Sequence, residues 1–196
     1  MTTAATARKQ RIILYVHYDP DDVVDAHILY QLRQLHEYGC RILFISNSKL
    51  PDRSILSAYV DEIFQRENRG YDFLAWKEVL CSRSRETWCA WDEIILMNST
   101  CYGPVFPLHE LFAAMDERAC DFWGITPYYA DGIYQDHLSS YFICFRKDII
   151  QDDCFWEFFS SVECHATTLD VIDKYETRMT QFFSRRGYAF ASYVEI

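Results

Sequence analysis

The stretch from Asp92 to Leu108 constrains this chain most, because an apolar run breaks off there into small polar residues, Gly and Pro. Ile94 to Met97 has the length and unbroken apolarity of a parallel strand covered on both faces, where a half-solvated strand would alternate. Asn98-Ser99-Thr100 leaves what would be that strand's carboxyl end, the edge at which open α/β sheets bind ligands. Tyr102-Gly103-Pro104 turns the chain, and Pro107 opens a segment with Leu108, Leu111, Phe112 and Met115 at helical spacing.

The same strand-then-polar-loop order recurs. Arg11 to His17 reads as a first strand running into Asp19-Pro20-Asp21-Asp22, an acidic loop where a doubly wound fold would place a nucleotide, and Asp21 or Asp22 could equally cap the next helix. That helix carries Val23, Val24, Ile28, Leu29, Leu32 and Leu35 on one side and stops at Gly39. Arg41 to Ile45 is a second strand leaving into Ser46-Asn47-Ser48, Pro51-Asp52-Arg53 begins a short helix, and Val60 to Phe64 is a third strand. The alternation predicts an α/β fold: a single Rossmann-like domain over residues 11–196, with a mostly parallel central sheet and helices on both faces, behind a disordered tail over residues 1–10. No Gly-x-Gly-x-x-Gly follows the first strand, so the dinucleotide fingerprint is absent.

Arg66-Glu67-Asn68-Arg69-Gly70-Tyr71-Asp72 is the most polar stretch before an evident helix. Asp72 is placed to cap residues 73–80, and Gly70 permits a turn that other residues resist. Arg66 and Arg69 could meet a diphosphate at this helix start, or merely balance local acids. Cys120 to Thr126 reads as another strand, and Pro127 to Asp136 as a Tyr/Gly/Asp-rich loop of the kind that binds or covers a substrate. His137 leads through Ser140 into a strand from Tyr141 to Phe145. Phe155, Trp156, Phe158 and Phe159 form an aromatic core face, and a last helix runs from about Leu169 to Arg185.

Half of the 196 residues are hydrophobic, enough for one sizeable core, and the net charge of -10 argues against a nucleic-acid partner. No apolar run is long enough for a signal peptide or membrane span. The eight cysteines contain no Cys-x-x-Cys pair, which suits reduced core residues of a cytoplasmic protein and leaves peripheral contact with the inner face of the membrane open.

Taken together, His17-Tyr18-Asp19, Ser46-Asn47-Ser48, Arg66 through Phe73, Asn98 through Pro107, Asp121-Phe122-Trp123-Gly124-Ile125-Thr126 and Ser140-Tyr141-Phe142 resemble the rhamnan synthesis protein F family in motif and order, over about residues 11 to 190. The resemblance implies a glycosyltransferase of GT-A-like architecture, inverting in mechanism. It would move rhamnose from a nucleotide-sugar such as dTDP-rhamnose onto a glycan or lipid-linked glycan acceptor of a cell-surface polysaccharide or lipopolysaccharide. The nucleotide-sugar would meet His17, Asp19, Ser46, Asn47, Arg66, Asn68, Arg69, Gly70, Asp72, Asn98 and Ser99. Two departures stand out. The family usually reads Asn-Asp-Ser where this chain has Asn98-Ser99-Thr100, and Gln-Ser-Tyr-Phe where it has Ser139-Ser140-Tyr141-Phe142.

Glycosyl transfer needs a stabilised leaving diphosphate and a deprotonated acceptor hydroxyl. Mg²⁺ or Mn²⁺ would want carboxylate oxygens at the strand end, and Asn98, Ser99 and Thr100 are all neutral, so a metal should bind only weakly. Glu176 is the first choice for general base because its helix resembles the acidic helix opposite the donor in other GT-A enzymes, with Asp121, Asp136 and His137 as runners-up. The competing expectation is a non-catalytic sugar- or nucleotide-binding domain of the same fold.

Overall fold

Each apolar run is a strand because its alternate residues serve two separate cores. The structure, a computed structural model, describes residues 9–194. Strands β1 (Arg11–His17), β2 (Arg41–Ser46), β3 (Glu62–Gln65) and β4 (Glu93–Asn98) are mutually parallel, in the order β3-β2-β1-β4. The sheet continues with β5 (Phe122–Gly124), a two-stranded side ribbon of β6 (Pro127–Tyr128) and β7 (His137–Leu138), then β8 (Phe142–Arg146) and β9 (Phe190–Ser192). Strand β8 lies antiparallel between β4 and β5, and β9 pairs parallel with β5, giving among the described residues seven strands of which β8 alone is reversed.

On one face, Ile12, Leu14 and Val16 pack with α2 (Tyr71–Cys81), α3 (Arg85–Cys89), α5 (Lys147–Gln151) and α6 (Asp153–Ser160), and with the helical segment built of α7 (Thr168–Val171), a π turn (Ile172–Glu176) and α8 (Thr177–Ser184). On the other face, Ile13 and Tyr15 pack with α1 (Ala26–Tyr38) and α4 (Leu108–Asp116). Burial on both faces is why periodicity failed to alternate in β1 and β4, whose residues are all buried.

Several local expectations shift. Helix α1 begins at Ala26, beyond Val23 and Val24, because the Asp19 carboxylate holds the Asp21 and Val23 amides in a turn. Neither Asp21 nor Asp22 caps it; the Asp22 side chain accepts from the Lys49 amide instead. Gly39 ends the helix at φ 91°, as its position required. The segment after Pro51 is only a 3₁₀ turn, Ser54–Leu56. Asp72 does not cap α2: it lies inside the first turn, and the cap position is Gly70 at φ 64°. A Cβ on Gly70 would lie 2.4 Å from Leu74 Cδ2, so glycine is required twice over. The last helix is interrupted by the π turn. Of the tail expected over residues 1–10, residues 1–8 lie outside the described residues; Lys9 and Gln10 are already hydrogen-bonded to Glu93 and Asp92.

The amino edge of the sheet closes on an ion network. Glu93, fully buried, accepts from Arg11 Nε at 2.5 Å and Lys9 Nζ at 2.8 Å, and Asp116 binds the same two cations. Burial works against the Arg11 charge, but Glu93 and Asp116 hold its pKa above the ordinary value. Arg146 donates to the Met115, Arg118 and Cys120 carbonyls, tying β8 to the end of α4. All eight cysteines are free thiols, with Cys40, Cys120, Cys144 and Cys154 buried as read and Cys81 and Cys164 exposed.

Candidate active site

The carboxyl ends of β1, β2 and β4 stand level. His17 is in register with Ser46, Val16 is in register with Asn98, and the Ser99 amide donates to Val16 O at 3.1 Å. Asn98 continues the face of Ile94 and Leu96, and so points to the α2 side. There its Nδ2 donates to Asp72 Oδ2 at 2.7 Å, while its Oδ1 accepts from the Thr100 hydroxyl at 2.6 Å. With both ends of the carboxamide engaged, Asn98 fixes the orientation of Asp72. The Asp72 carboxyl is pushed up to about 6 by burial; the Asn98 hydrogen bond and Arg66 oppose that rise, and the charge of Glu176 adds to it.

Glu176 arrives from the far wall. It lies at the end of the π turn and accepts from the Ser140 amide at 3.2 Å, bridging the last helix to the entry of β8. Asp72, Asn98, Ser99 and Glu176 line one cavity of about 380 Å³, walled by Tyr18, Tyr71, Tyr141 and Ile172. It opens, through Tyr18, Asn47 and Asn68, onto a wider shelf of about 840 Å³ beyond the ends of β1 to β3, where Asp19, Ser48 and Arg66 lie. A smaller cavity beside a broader polar shelf is the combined shape.

The other sequence-selected residues divide by place. His17 is fully buried on the α1 side, stacked 5.2 Å from Phe44, with Nε2 3.1 Å from Val23 O. Burial lowers its pKa, so it is a neutral brace beneath the loop. Ser46 donates to Ser48 O at 2.8 Å, and Ser48 donates to Asp19 O at 2.8 Å, so these residues shape the shelf floor. The Arg66 side chain is 4% exposed, with its guanidinium on Glu78 (2.6 Å), Asn47 Oδ1 (2.7 Å) and Arg69 O (2.8 Å). Arg69 is exposed and pairs with the same Glu78.

Asp121 stands apart from the cavity. It precedes β5, at the edge of the sheet opposite Asn98, where its carboxylate accepts from the Ala189 amide at 2.7 Å. Asp136 and His137 belong to the side ribbon; Asp136 accepts from the Ala130 amide, and His137 stacks on Tyr128 at 4.6 Å. Neither lines the cavity. Sequence reasoning missed the Asn98–Asp72 pair and the claim of Glu78 on Arg66. A signal for the second existed, since Glu78 lies two turns beyond Tyr71 in an apolar helix and returns to the same side as the helix start.

The donor set does not make a resident metal site. Mg²⁺ wants near-octahedral oxygen ligation, yet Asn98 and one Asp72 oxygen are mutually engaged, and no group of three or more His, Cys, Asp or Glu that could hold an ion occurs among the described residues.

The fold is shared with solved nucleotide-sugar transferases. A chain from Desulfovibrio desulfuricans, assigned as a nucleotide-diphospho-sugar transferase, superposes with a TM-score of 0.52 at 18% identity over 94% of this chain and 80% of that one. TarS 1-349 of S. aureus superposes with a TM-score of 0.55 at 12% identity, over 93% of this chain and 60% of that one. The α/β architecture is therefore one that these two proteins share. The sequence profile of rhamnan synthesis protein F matches residues 42–196, and the chain belongs to that family. A curated relative, the uncharacterized protein y4gN of Sinorhizobium fredii, is 25% identical over 178 residues; the match takes in 89% of this chain and 46% of the relative, so the chain spans about half its length. Among the described residues no helix is long and apolar enough to cross a membrane.

Proposed function

We propose that this domain is an inverting glycosyltransferase acting on a nucleotide-sugar, with dTDP-rhamnose or a related deoxysugar donor as first choice. The acceptor is a glycan or lipid-linked glycan of a cell-surface polysaccharide or lipopolysaccharide, met on the cytoplasmic side of the membrane. The observation that carries this reading is the convergence of Asp72 and Glu176 from opposite walls of one cavity at the carboxyl ends of the parallel strands. Family membership supports the sugar, and TarS, of like fold at a TM-score of 0.53, was solved in complex with UDP-GlcNAc.

In this reading the nucleoside diphosphate lies on the shelf near Asp19, Asn47 and Asn68, and the sugar enters the cavity. Glu176 takes the proton of the acceptor hydroxyl as its oxygen bonds to the anomeric carbon, and the bond from that carbon to the diphosphate breaks. Asp72, held by Asn98, supplies negative charge beside the oxocarbenium-like centre. The leaving charge falls to backbone amides and to the exposed Arg69.

The test is a panel of nucleotide-sugars read by thermal shift with and without Mn²⁺, followed by NMR detection of donor hydrolysis. Stabilisation by one donor and slow hydrolysis lost in Glu176→Gln are expected. A second reading, a non-catalytic binding domain, is favoured by the neutral Asn98-Ser99-Thr100 turn; it predicts stabilisation without hydrolysis.

A further inference from the structure

Outside the cavity, α8 and the two residues after it carry three arginines and no acidic residue, in a chain of net charge -10. Arg178, Gln181 and Arg185 recur at i, i+3 and i+7, one stripe of α8 and its C-cap, while Met179 and Phe183 on its other side are buried in the core. The stripe faces Ile133, Tyr134 and Gln135 across a groove of about 700 Å³, which Arg186 also lines. The groove wall is held in place. Tyr134 donates to Asp173 at 2.5 Å, Gln181 donates to Asp136 O at 2.9 Å, and Asp131 accepts from the Ile133 amide at 2.8 Å.

Acidic residues outnumber basic ones 29 to 19 in this chain, so arginines readily find partners. Arg11, Arg41, Arg66, Arg83 and Arg85 each pair with a carboxylate. Arg186, at the groove's end, pairs with Glu157 at 3.2 Å. Among the described residues Arg178 and Arg185 have neither an acidic partner nor a side-chain hydrogen bond, although both are exposed on a fixed surface. Helix-end complementarity explains Arg185 in the last turn but not Arg178, which sits in mid-helix once α7 and the π turn are counted.

The groove and the cavity are lined by neighbouring residues of one helical segment. Ile172 and Glu176 line the cavity, and Asp173 and Thr177, the next residues round the same helix, line the groove. We propose that this groove is a binding site for a phosphate- or diphosphate-bearing acceptor, whose anion lies on Arg178 and Arg185 while its hydroxyl end reaches Glu176. The assignment to the acceptor rests on the transferase reading above; the anion site itself does not. A guanidinium fork matches phosphate oxygens two at a time, and flexible side chains spaced by about 10 Å of helix rise can converge on one diphosphate or follow an extended chain.

Inorganic pyrophosphate is the first probe, followed by the Nε–Hε signals of the arginines in NMR spectra, with thermal shift by the best nucleotide-sugar measured on the same samples. The Arg178 and Arg185 signals should move together, and Arg178→Ala/Arg185→Ala should weaken pyrophosphate binding at least tenfold while nucleotide-sugar stabilisation persists. Arg178→Lys/Arg185→Lys, which keeps charge but loses the fork, should fall between. Farnesyl diphosphate separates two sources of the anion: tighter binding than pyrophosphate marks a lipid headgroup, and equal binding a free phosphate group. Unmoved arginine signals, unchanged affinity in the double alanine variant, or full competition between pyrophosphate and the nucleotide-sugar would overturn the site. Pyrophosphate binding in a protein that ignores every nucleotide-sugar would sink the transferase reading and leave the groove standing.

Discussion

The two ends of the central sheet hold the same kind of side chain and treat it in opposite ways. At the amino edge, Glu93 is buried among Lys9, Arg11 and Arg146, and Asp116 adds a second carboxylate to Lys9 and Arg11. Burial disfavours the Asp116 charge, but hydrogen bonds from Lys9 and Arg11 hold its pKa below the usual range. At the carboxyl edge, Asp72 has one neutral amide for a partner and a second carboxylate, Glu176, across the cavity. The first arrangement spends charge on holding the chain together. The second keeps charge poorly compensated in a place a ligand can reach, as sites for chemistry often do.

Breaking the amino edge should have the largest effect. Glu93→Gln removes the buried partner of Arg11, leaving it Asp116 alone, and should cost about 3 kcal/mol of stability, read as a fall in urea midpoint. Asp72→Asn should act in the reverse direction. The folded pKa of Asp72 is raised from 3.8 to about 6, so the folded state binds the extra proton, and stability present below pH about 4 is lost as pH rises through 6. The wild type should therefore lose about 2–3 kcal/mol across that window, and the Asn variant should lose less and be the more stable protein at pH 7. A variant less stable than wild type at pH 7 would show that Asp72 is as well paired as Glu93.

Gly70→Ala sharpens the contrast from the backbone side. It places a Cβ in a left-handed residue against Leu74 at the start of α2 and should cost about 1–2 kcal/mol, with a larger loss of nucleotide-sugar binding because Asp72 moves with that turn. Ser99→Asp has the smallest expected effect on stability, within about 0.5 kcal/mol, since the position is partly exposed. It should nevertheless strengthen Mn²⁺ binding in the presence of a nucleoside diphosphate, measured by calorimetry. Tight Mn²⁺ binding by the wild type, abolished by Asp72→Asn, would instead show Asp72 serving as the metal carboxylate.

How much of this was legible in the chain follows from range. Strands β1, β2 and β4 were readable because burial on both faces leaves continuous apolar runs, and the polar residues that follow them fall at one edge for that reason. Strand β8 was readable as a strand but not as the reversed one, since direction depends on distant partners, 53 residues away for Glu93 with Arg146 and 45 for Met97 with Phe142. That separation varies along the antiparallel pair, so no local pattern encodes it. Asp121 falls inside the strand expected from Cys120 to Thr126, whereas β5 begins at Phe122, which leaves Asp121 at the amino edge. Arg66 looked free because Glu78 is 12 residues on, and Asp72 looked like a cap because Asn98 is 26 residues on. Long-range partners turned one cation into scaffold and one cap into a site carboxylate.

The π turn at Ile172–Glu176 works as a gear in the last helix. Each residue of an α-helix advances about 100°, so one extra residue re-indexes everything beyond it without unseating the buried side. Upstream of the turn, Val171 is set against the core; downstream, Met179 and Phe183 are again, while Glu176 is left looking into the cavity and Arg178 out into the groove. Removing a single residue from the turn would leave helix length almost unchanged but rotate one tenant of the helix relative to the other. The two surfaces are thus timed to each other by one residue, and a one-codon deletion there should uncouple them in a protein that still folds.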